Sequence, residues 1–251
     1  MSNCNFIRRF FLSFLVLICT SGAVFAQNYS FEPLLFFQER RAEDYDFALS
    51  FSKKIFTKLQ EEKYPYALEV SSVVFPELLR YSEFRNELES LMNECLAFAS
   101  EESNGFSIGL FQMKPSFAAK VEALLCENPE LKEKYASIDY GGDLSSFDSR
   151  LKRIKRLNDF DLQLEYLKVF ADFEVKALSL ENENFLQRLS FLATAYNYGI
   201  QTDRSVLEPV FDWQTFPSGR RYLYFNYKDL CIAAAGEIKK NVNQLANFQK
   251  K

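Results

Sequence analysis

The chain has 251 residues, with 30 Lys or Arg against 34 Asp or Glu and a formal net charge of −4. That balance argues against a nucleic-acid partner, because phosphate binding relies on a basic surface. The sequence contains no histidine, which excludes Ser-His-Asp and Cys-His catalysis and every His-ligated metal site.

Residues 1 to 26 read as a secretory signal peptide. Arg8 and Arg9 give a positive start, residues 10 to 18 form an apolar run too short to span a bilayer, and Val24-Phe25-Ala26 precedes a cleavage point. Ile18 before Cys19 does not fit a lipid anchor. No second apolar run of membrane length follows, so the expected product is exported, periplasmic or envelope-associated, with no stable membrane span. Cleavage would leave roughly 225 residues at a net charge of about −6, enough for one globular domain with a helical extension. Cys95, Cys126 and Cys231 would remain, allowing one disulfide at most; buried free thiols are the plain expectation. No metal-ligand spacing and no Gly-rich phosphate loop occurs, so neither metal nor cofactor is expected.

Beyond the signal, residues 27 to 64 read as an N-terminal helical extension, 65 to 240 as the main domain and 241 to 251 as a polar tail. Residues 42 to 61 carry Phe47, Leu49, Phe51, Ile55 and Leu59 at helical spacings. Pro65 opens a second helix through Ala67, Leu68, Val70, Val73 and Val74. A third is expected over 86 to 98 and a fourth from Pro115 through Leu125. One or two long helices should fill 147 to 180, with others over 183 to 196 and 228 to 239. Gly141-Gly142-Asp143 and residues 199 to 221 read as loops. Strand signal is confined to residues 103 to 113. The fold class is mainly α, with at most a small β-hairpin.

Two stretches break the helical pattern. In Asn104-Gly-Phe-Ser-Ile-Gly-Leu-Phe-Gln-Met-Lys-Pro115, Gly105 and Gly109 lower helix propensity and predict a tight turn or hairpin. Gln112 there offers an uncharged amide suited to a sugar hydroxyl or N-acetyl group. Ala193-Thr-Ala-Tyr-Asn-Tyr-Gly199 ends an amphipathic helix, with Gly199 as its stop. The first resembles the Gly-Leu-Met-Gln motif of lysozyme-like lytic transglycosylases and goose-type lysozymes, and the second resembles the Ala-Tyr-Asn-Ala-Gly motif that follows it. Their order and separation both match.

That resemblance implies a lysozyme-like helical domain over 65 to 240 acting on peptidoglycan glycan strands. It also implies a catalytic Glu upstream of the Gln motif, commonly as Glu-Ser. Here the pattern departs. Glu89-Ser90 falls inside an amphipathic helix and Glu102-Ser103 stands too close to Ser107. The strongest candidate is Glu77 in Phe75-Pro76-Glu77, where Val74, Phe75, Leu78 and Leu79 would desolvate the carboxyl and raise its pKa, as a general acid needs. The helix over 86 to 98 would then be an insertion. The bland alternative for Glu77 is a surface Glu paired with Arg80. Glu69, at mid-helix where an exposed face is expected, and the adjacent Glu101 and Glu102 remain rivals.

By the same resemblance Ser107 lies near the acid, Gln112 holds the sugar, Tyr196 orients the Glu, and Asn197 positions the same wall. One Glu would protonate the bond between N-acetylmuramic acid and N-acetylglucosamine, then act as base to form a 1,6-anhydro ring. A hydrolytic muramidase would need a second carboxylate, for which Asp139 and Asp143 stay open. A lysozyme-like protein that binds glycan or an envelope partner without cleaving it is the alternative from another class, and a purely helical structural module the third. The aromatic run Tyr222, Tyr224, Phe225 and Tyr227 reads as core packing rather than a sugar-stacking wall.

Overall fold

Helical spacing of apolar side chains builds nearly all of the computed structural model, which describes residues 33–81, 106–139, 143–216 and 225–248. The signal segment, the helix expected over 86 to 98, Cys95, Glu101, Glu102, Gly141, Gly142 and residues 217 to 224 lie outside the described residues. The described residues belong to one compact unit, beginning at Pro33. The fold is mainly α with one two-stranded antiparallel hairpin.

Helix α1 (Pro33–Arg40) leads into α2 (Ala42–Glu61), whose first turn carries Glu43 and Asp44 and whose last turn carries Lys58. These charges complement the helix dipole. The buried stripe of α2 is Tyr45, Ala48, Ser52, Ile55, Phe56 and Leu59. Phe47, Leu49 and Phe51, expected on that stripe, are only half-buried. Phe47 instead stacks on Tyr81 at 5.7 Å, and Phe51 meets Phe160 edge-on at 6.0 Å.

The segment after Pro65 forms two helices rather than one, α3 (Ala67–Val73) and α4 (Phe75–Arg80). The break falls at Val74, because Pro76 has no N–H to give to a continuing helix. Helix α3 packs on α2, on α9 (Phe185–Tyr198) and on α11 (Tyr227–Phe248), so nearly all of it is buried. Helix α4 packs on α2 and α11.

Pro115 opens α5 (Pro115–Glu127), as expected, and α6 (Pro129–Lys134) follows. The stretch from 147 to 180 resolves into α7 (Phe147–Leu157) and α8 (Phe160–Ala177), each started by a side-chain cap, Ser146 and Asp159. Arg153 on α7 donates two hydrogen bonds to Glu122 Oε2 on α5, at 2.8 and 2.6 Å, while Tyr166 on α8 donates to Glu122 Oε1 at 2.5 Å. This buried ion pair with a third donor locks the three helices together.

Strand signal had been placed at 103 to 113; there the structure has an isolated bridge between Ile108 and Met113. The ladder itself pairs β1 (Gln214–Phe216), in the stretch expected to be loop, with β2 (Phe225–Asn226), which falls in the aromatic run after it. A short helix α10 (Arg204–Leu207) and a 3₁₀ turn (Glu208–Val210) precede it. Helix α11 continues to Phe248, well into the expected polar tail. Cys231 is a buried free thiol as anticipated, whereas Cys126 is free but exposed, at the polar end of α5. No helix among the described residues is long and apolar enough to cross a membrane.

Among the described residues, one buried carboxyl lies outside the ion pairs. Glu174 on α8 accepts from the Gln201 backbone N–H at 2.7 Å, and its other oxygen has no hydrogen-bond partner among the described residues. Burial pushes its pKa from an ordinary 4.5 up to about 7, and the Gln201 bond offsets only part of this. The folded state therefore holds the proton more tightly than the unfolded chain, and stability falls as pH rises from 4.5 to about 7. Glu174→Gln keeps an acceptor for Gln201 without the charge. Urea denaturation at about pH 8 should find this variant more stable by up to about 3 kcal/mol, and near parity at about pH 4. A variant less stable than the parent at the higher pH would refute this account.

Candidate active site

Three separated stretches of sequence meet at a cavity of about 310 Å³. From α4 come Glu77 and Arg80. The turn after residue 106 and the start of α5 give Ser107, Gln112, Lys114, Phe117 and Lys120. The end of α9 supplies Tyr196, Asn197, Tyr198 and the Gly199–Ile200 corner. Glu77, Ser107, Gln112, Tyr196 and Asn197, the five site residues expected from sequence, are all among the lining.

The break at Val74 turns Glu77 inward at the start of α4, where Val74, Phe75, Leu78 and Leu79 are fully buried around it. Glu77 itself is 7% exposed. Burial pushes its carboxyl above the usual carboxylate range; Arg80, the Tyr227 hydroxyl and Lys114 hold it back in part. Arg80 NH1 lies 3.2 Å from Glu77 Oε2. The pairing with Arg80 expected of a surface Glu is thus present, but on a buried carboxyl.

Tyr227, the first residue of α11, sits fully in the core. Its hydroxyl donates to the Val73 carbonyl at 3.0 Å and also reaches the Glu77 carboxyl. One hydroxyl proton cannot serve both acceptors. Val73 holds it at 3.0 Å, and the nearby hydroxyl favours the ionised form of Glu77. Tyr196, the residue assigned by resemblance to orient the Glu, uses its hydroxyl elsewhere: it donates to the Phe111 carbonyl at 2.8 Å. Burial, and after it the charge of Glu77, pushes the Tyr196 hydroxyl up, so the two are neighbours without sharing that hydrogen bond.

The opposite wall is a tight turn. Ile108 and Met113 exchange backbone hydrogen bonds at 2.9 and 3.0 Å, and Gly109 and Gln112 both sit at positive φ, +71° and +48°. Gln112 Nε2 donates to the Gly109 carbonyl at 2.9 Å, which fixes the amide. Gln163 on α8 clamps the turn from behind, accepting from Phe111 N–H at 3.3 Å and donating to the Ile108 carbonyl at 2.8 Å. Asn197 Nδ2 donates to Thr215 Oγ1 at 3.0 Å, tying the end of α9 to β1.

The rival acids differ in kind. Glu69, expected on an exposed face, is buried at 3% exposure because Arg188 on α9 donates to its Oε1 at 2.7 Å; it is not part of the cavity wall. Asp139 pairs with Lys132 at 3.3 Å, and Asp143 is exposed and bonded to Ser145. Neither reaches the cavity, so Glu77 is the one carboxylate among its described lining residues.

Sequence reasoning passed over Lys114, Lys120 and Tyr198, and placed Tyr227 in the core without a role. Lys114 was visible as part of the Gln-Met-Lys-Pro run. Tyr227 gave no signal, because its contact with Glu77 depends on how α11 docks on α3 and α4. A scan against protein-family models and searches of curated proteins and of solved structures return no match.

Two variants test the geometry. A Cβ on Gly109 would lie 2.2 Å from the Leu157 carbonyl oxygen and 2.4 Å from Gln163 Nε2. Gly109→Ala should therefore lower unfolding free energy by roughly 3 kcal/mol or more, read by urea denaturation. Tyr227→Phe should cost about 1–2 kcal/mol, since the Val73 carbonyl keeps only the weak Cys231 thiol donor at 3.7 Å. It should also raise the Glu77 pKa further, because a donor to the ionised form is lost. Carboxyl-carbon NMR titration reads that shift, and an unmoved Glu77 titration would remove Tyr227 from the site.

Proposed function

We propose that the chain is an exported peptidoglycan lytic transglycosylase of lysozyme-like type, with Glu77 as its single acid and base. The observation that carries this reading is the convergence of Glu77, Ser107, Gln112, Tyr196 and Asn197 on one cavity from three distant stretches. A desolvated carboxyl keeps its proton nearer neutral pH, which suits a general acid. Glu77 donates that proton to the glycosidic oxygen, and the bond from C1 of the muramyl sugar to that oxygen breaks. The N-acetylglucosamine side leaves with the proton. The Glu77 carboxylate then takes the proton of the C6 hydroxyl, whose oxygen closes on C1 as the 1,6-anhydro ring. Glu77 ends protonated, ready for another cycle.

This route needs no positioned water. A muramidase would need a second carboxylate across the sugar, and among the described residues the cavity wall offers none besides Glu77. Arg80, Lys114 and Lys120 give the cavity positive charge within an acidic chain, which suits the carboxylates of the peptide stems carried by the muramyl sugar.

One observation favours a second reading. The Arg80 guanidinium at 3.2 Å stabilises ionised Glu77, and an ionised Glu77 cannot donate a proton, as in a lysozyme-like protein that holds glycan without cleaving it. Digestion of purified peptidoglycan separates the two. The wild type should release anhydro-muropeptides detectable by mass spectrometry, and Glu77→Gln should lose at least about 10²-fold in rate. Reducing-end products would indicate hydrolysis, and binding without products would support the second reading. The rate should fall as pH rises through the raised Glu77 pKa, since the acid form is consumed. Arg80→Met should move that fall to higher pH, because the cation favouring the charged form is gone.

A further inference from the structure

The cavity is small for a polymer. At about 310 Å³ it lies at the lower end of ligand sites, which run to roughly 1,000 Å³. A glycan strand entering it must continue across the surface beyond. On one side that surface is aromatic and open. Tyr198, at the end of α9, is 49% exposed, and Trp213, just before β1, is 55% exposed. Their rings meet edge to face, with centroids 6.4 Å apart and planes at 71°. Trp213 is the sole tryptophan of the chain.

We propose that Tyr198 and Trp213 form an outer binding platform for the glycan strand, stacking a sugar ring next to the one held in the cavity; this rests on the glycan-cleaving or glycan-binding reading of Glu77 and Gln112. Two observations join platform to cavity. Asn197 and Tyr198 line both the cavity and a shallow cleft that also contains Trp213 and Thr215. The strand can therefore pass from one to the other without crossing a gap. The hydrogen bond from Asn197 to Thr215 also places a polar pair in that cleft, beside the indole.

That pattern fits a pyranose, whose C–H face is apolar and whose rim carries hydroxyls. A large exposed aromatic loses water on ligand binding without any change of fold. Trp213 is also held in place. Its backbone N–H donates to the Val210 carbonyl at 3.1 Å, and its ring leans on Tyr198. A fixed ring costs less entropy to engage than a free one.

The test uses the full chain carrying Glu77→Gln, so that the sugar is not consumed, with N-acetylglucosamine and its tetramer as probes. Excitation selective for tryptophan reports on Trp213 alone. The tetramer should shift emission to the blue, and the monomer, a single ring for the cavity, should not. Trp213→Ala should weaken tetramer binding roughly five- to ten-fold by calorimetry and leave monomer binding unchanged. Tyr198→Ala, also at an exposed position, should weaken the tetramer similarly. If the tetramer binds with unchanged emission and unchanged affinity in both variants, the platform is wrong while the glycan reading stands. If neither probe nor solubilised peptidoglycan strands bind the parent, the glycan reading fails and the platform fails with it.

Discussion

The desolvation of Glu77 is the constraint around which the site is arranged. A carboxyl in apolar surroundings either keeps its proton or must be met by donors and cations. Here three neighbours answer it: Arg80 from its own helix, Tyr227 from α11 and Lys114 from the start of α5. Each comes from a different part of the chain, so the ionised state of Glu77 is sensed by three elements at once. Glu77 stands in the first turn of α4, just past the break at Val74.

The opposing wall is held by a different means. Gln112 is a non-glycine residue in the left-handed region, a conformation that costs on the order of 1–3 kcal/mol and persists only where surroundings fix it. Gln163 and Tyr196 supply that fixing through two bonds to Phe111 and one to the Ile108 carbonyl. The Gly109 position admits no side chain, because the Leu157 carbonyl and Gln163 press against it. The wall of Glu77 is therefore tuned by burial and charge, and the wall of Gln112 by backbone geometry.

The helices were legible wherever an apolar stripe recurred at helical spacing: α2, α5, α7, α8 and α9 stand close to where periodicity placed them. The β-ladder was not, since Gln214–Phe216 and Phe225–Asn226 are too short for alternation to register and pair across intervening chain. Burial of Glu77 could be read from its apolar neighbours, and the turn at Gly109 from its glycines. Glu69 misled in detail: mid-helix position suggested solvent, while the guanidinium of Arg188, more than a hundred residues on, made burial tolerable. Long-range partners of this kind leave no local trace in a sequence. The same holds for Tyr227, whose role depends on docking rather than on spacing.

Tyr196 and Tyr227 show how a motif can locate a wall without fixing the role of each residue in it. Tyr196 stands where the resemblance puts it, at the end of α9 and beside Glu77, yet its hydroxyl supports the turn through the Phe111 carbonyl. The hydroxyl that Glu77 meets belongs to α11 and lies outside both motifs. This division has a physical consequence. The Tyr196 hydroxyl bonds the turn and not Glu77, so this bond makes no demand on the protonation state of that carboxyl. The Tyr227 hydroxyl is bonded to the Val73 carbonyl at 3.0 Å and, standing beside Glu77, favours its ionised form. The wall beside Gln112 is thus held by bonds that leave Glu77 out, and the wall of Glu77 by groups that act on its charge.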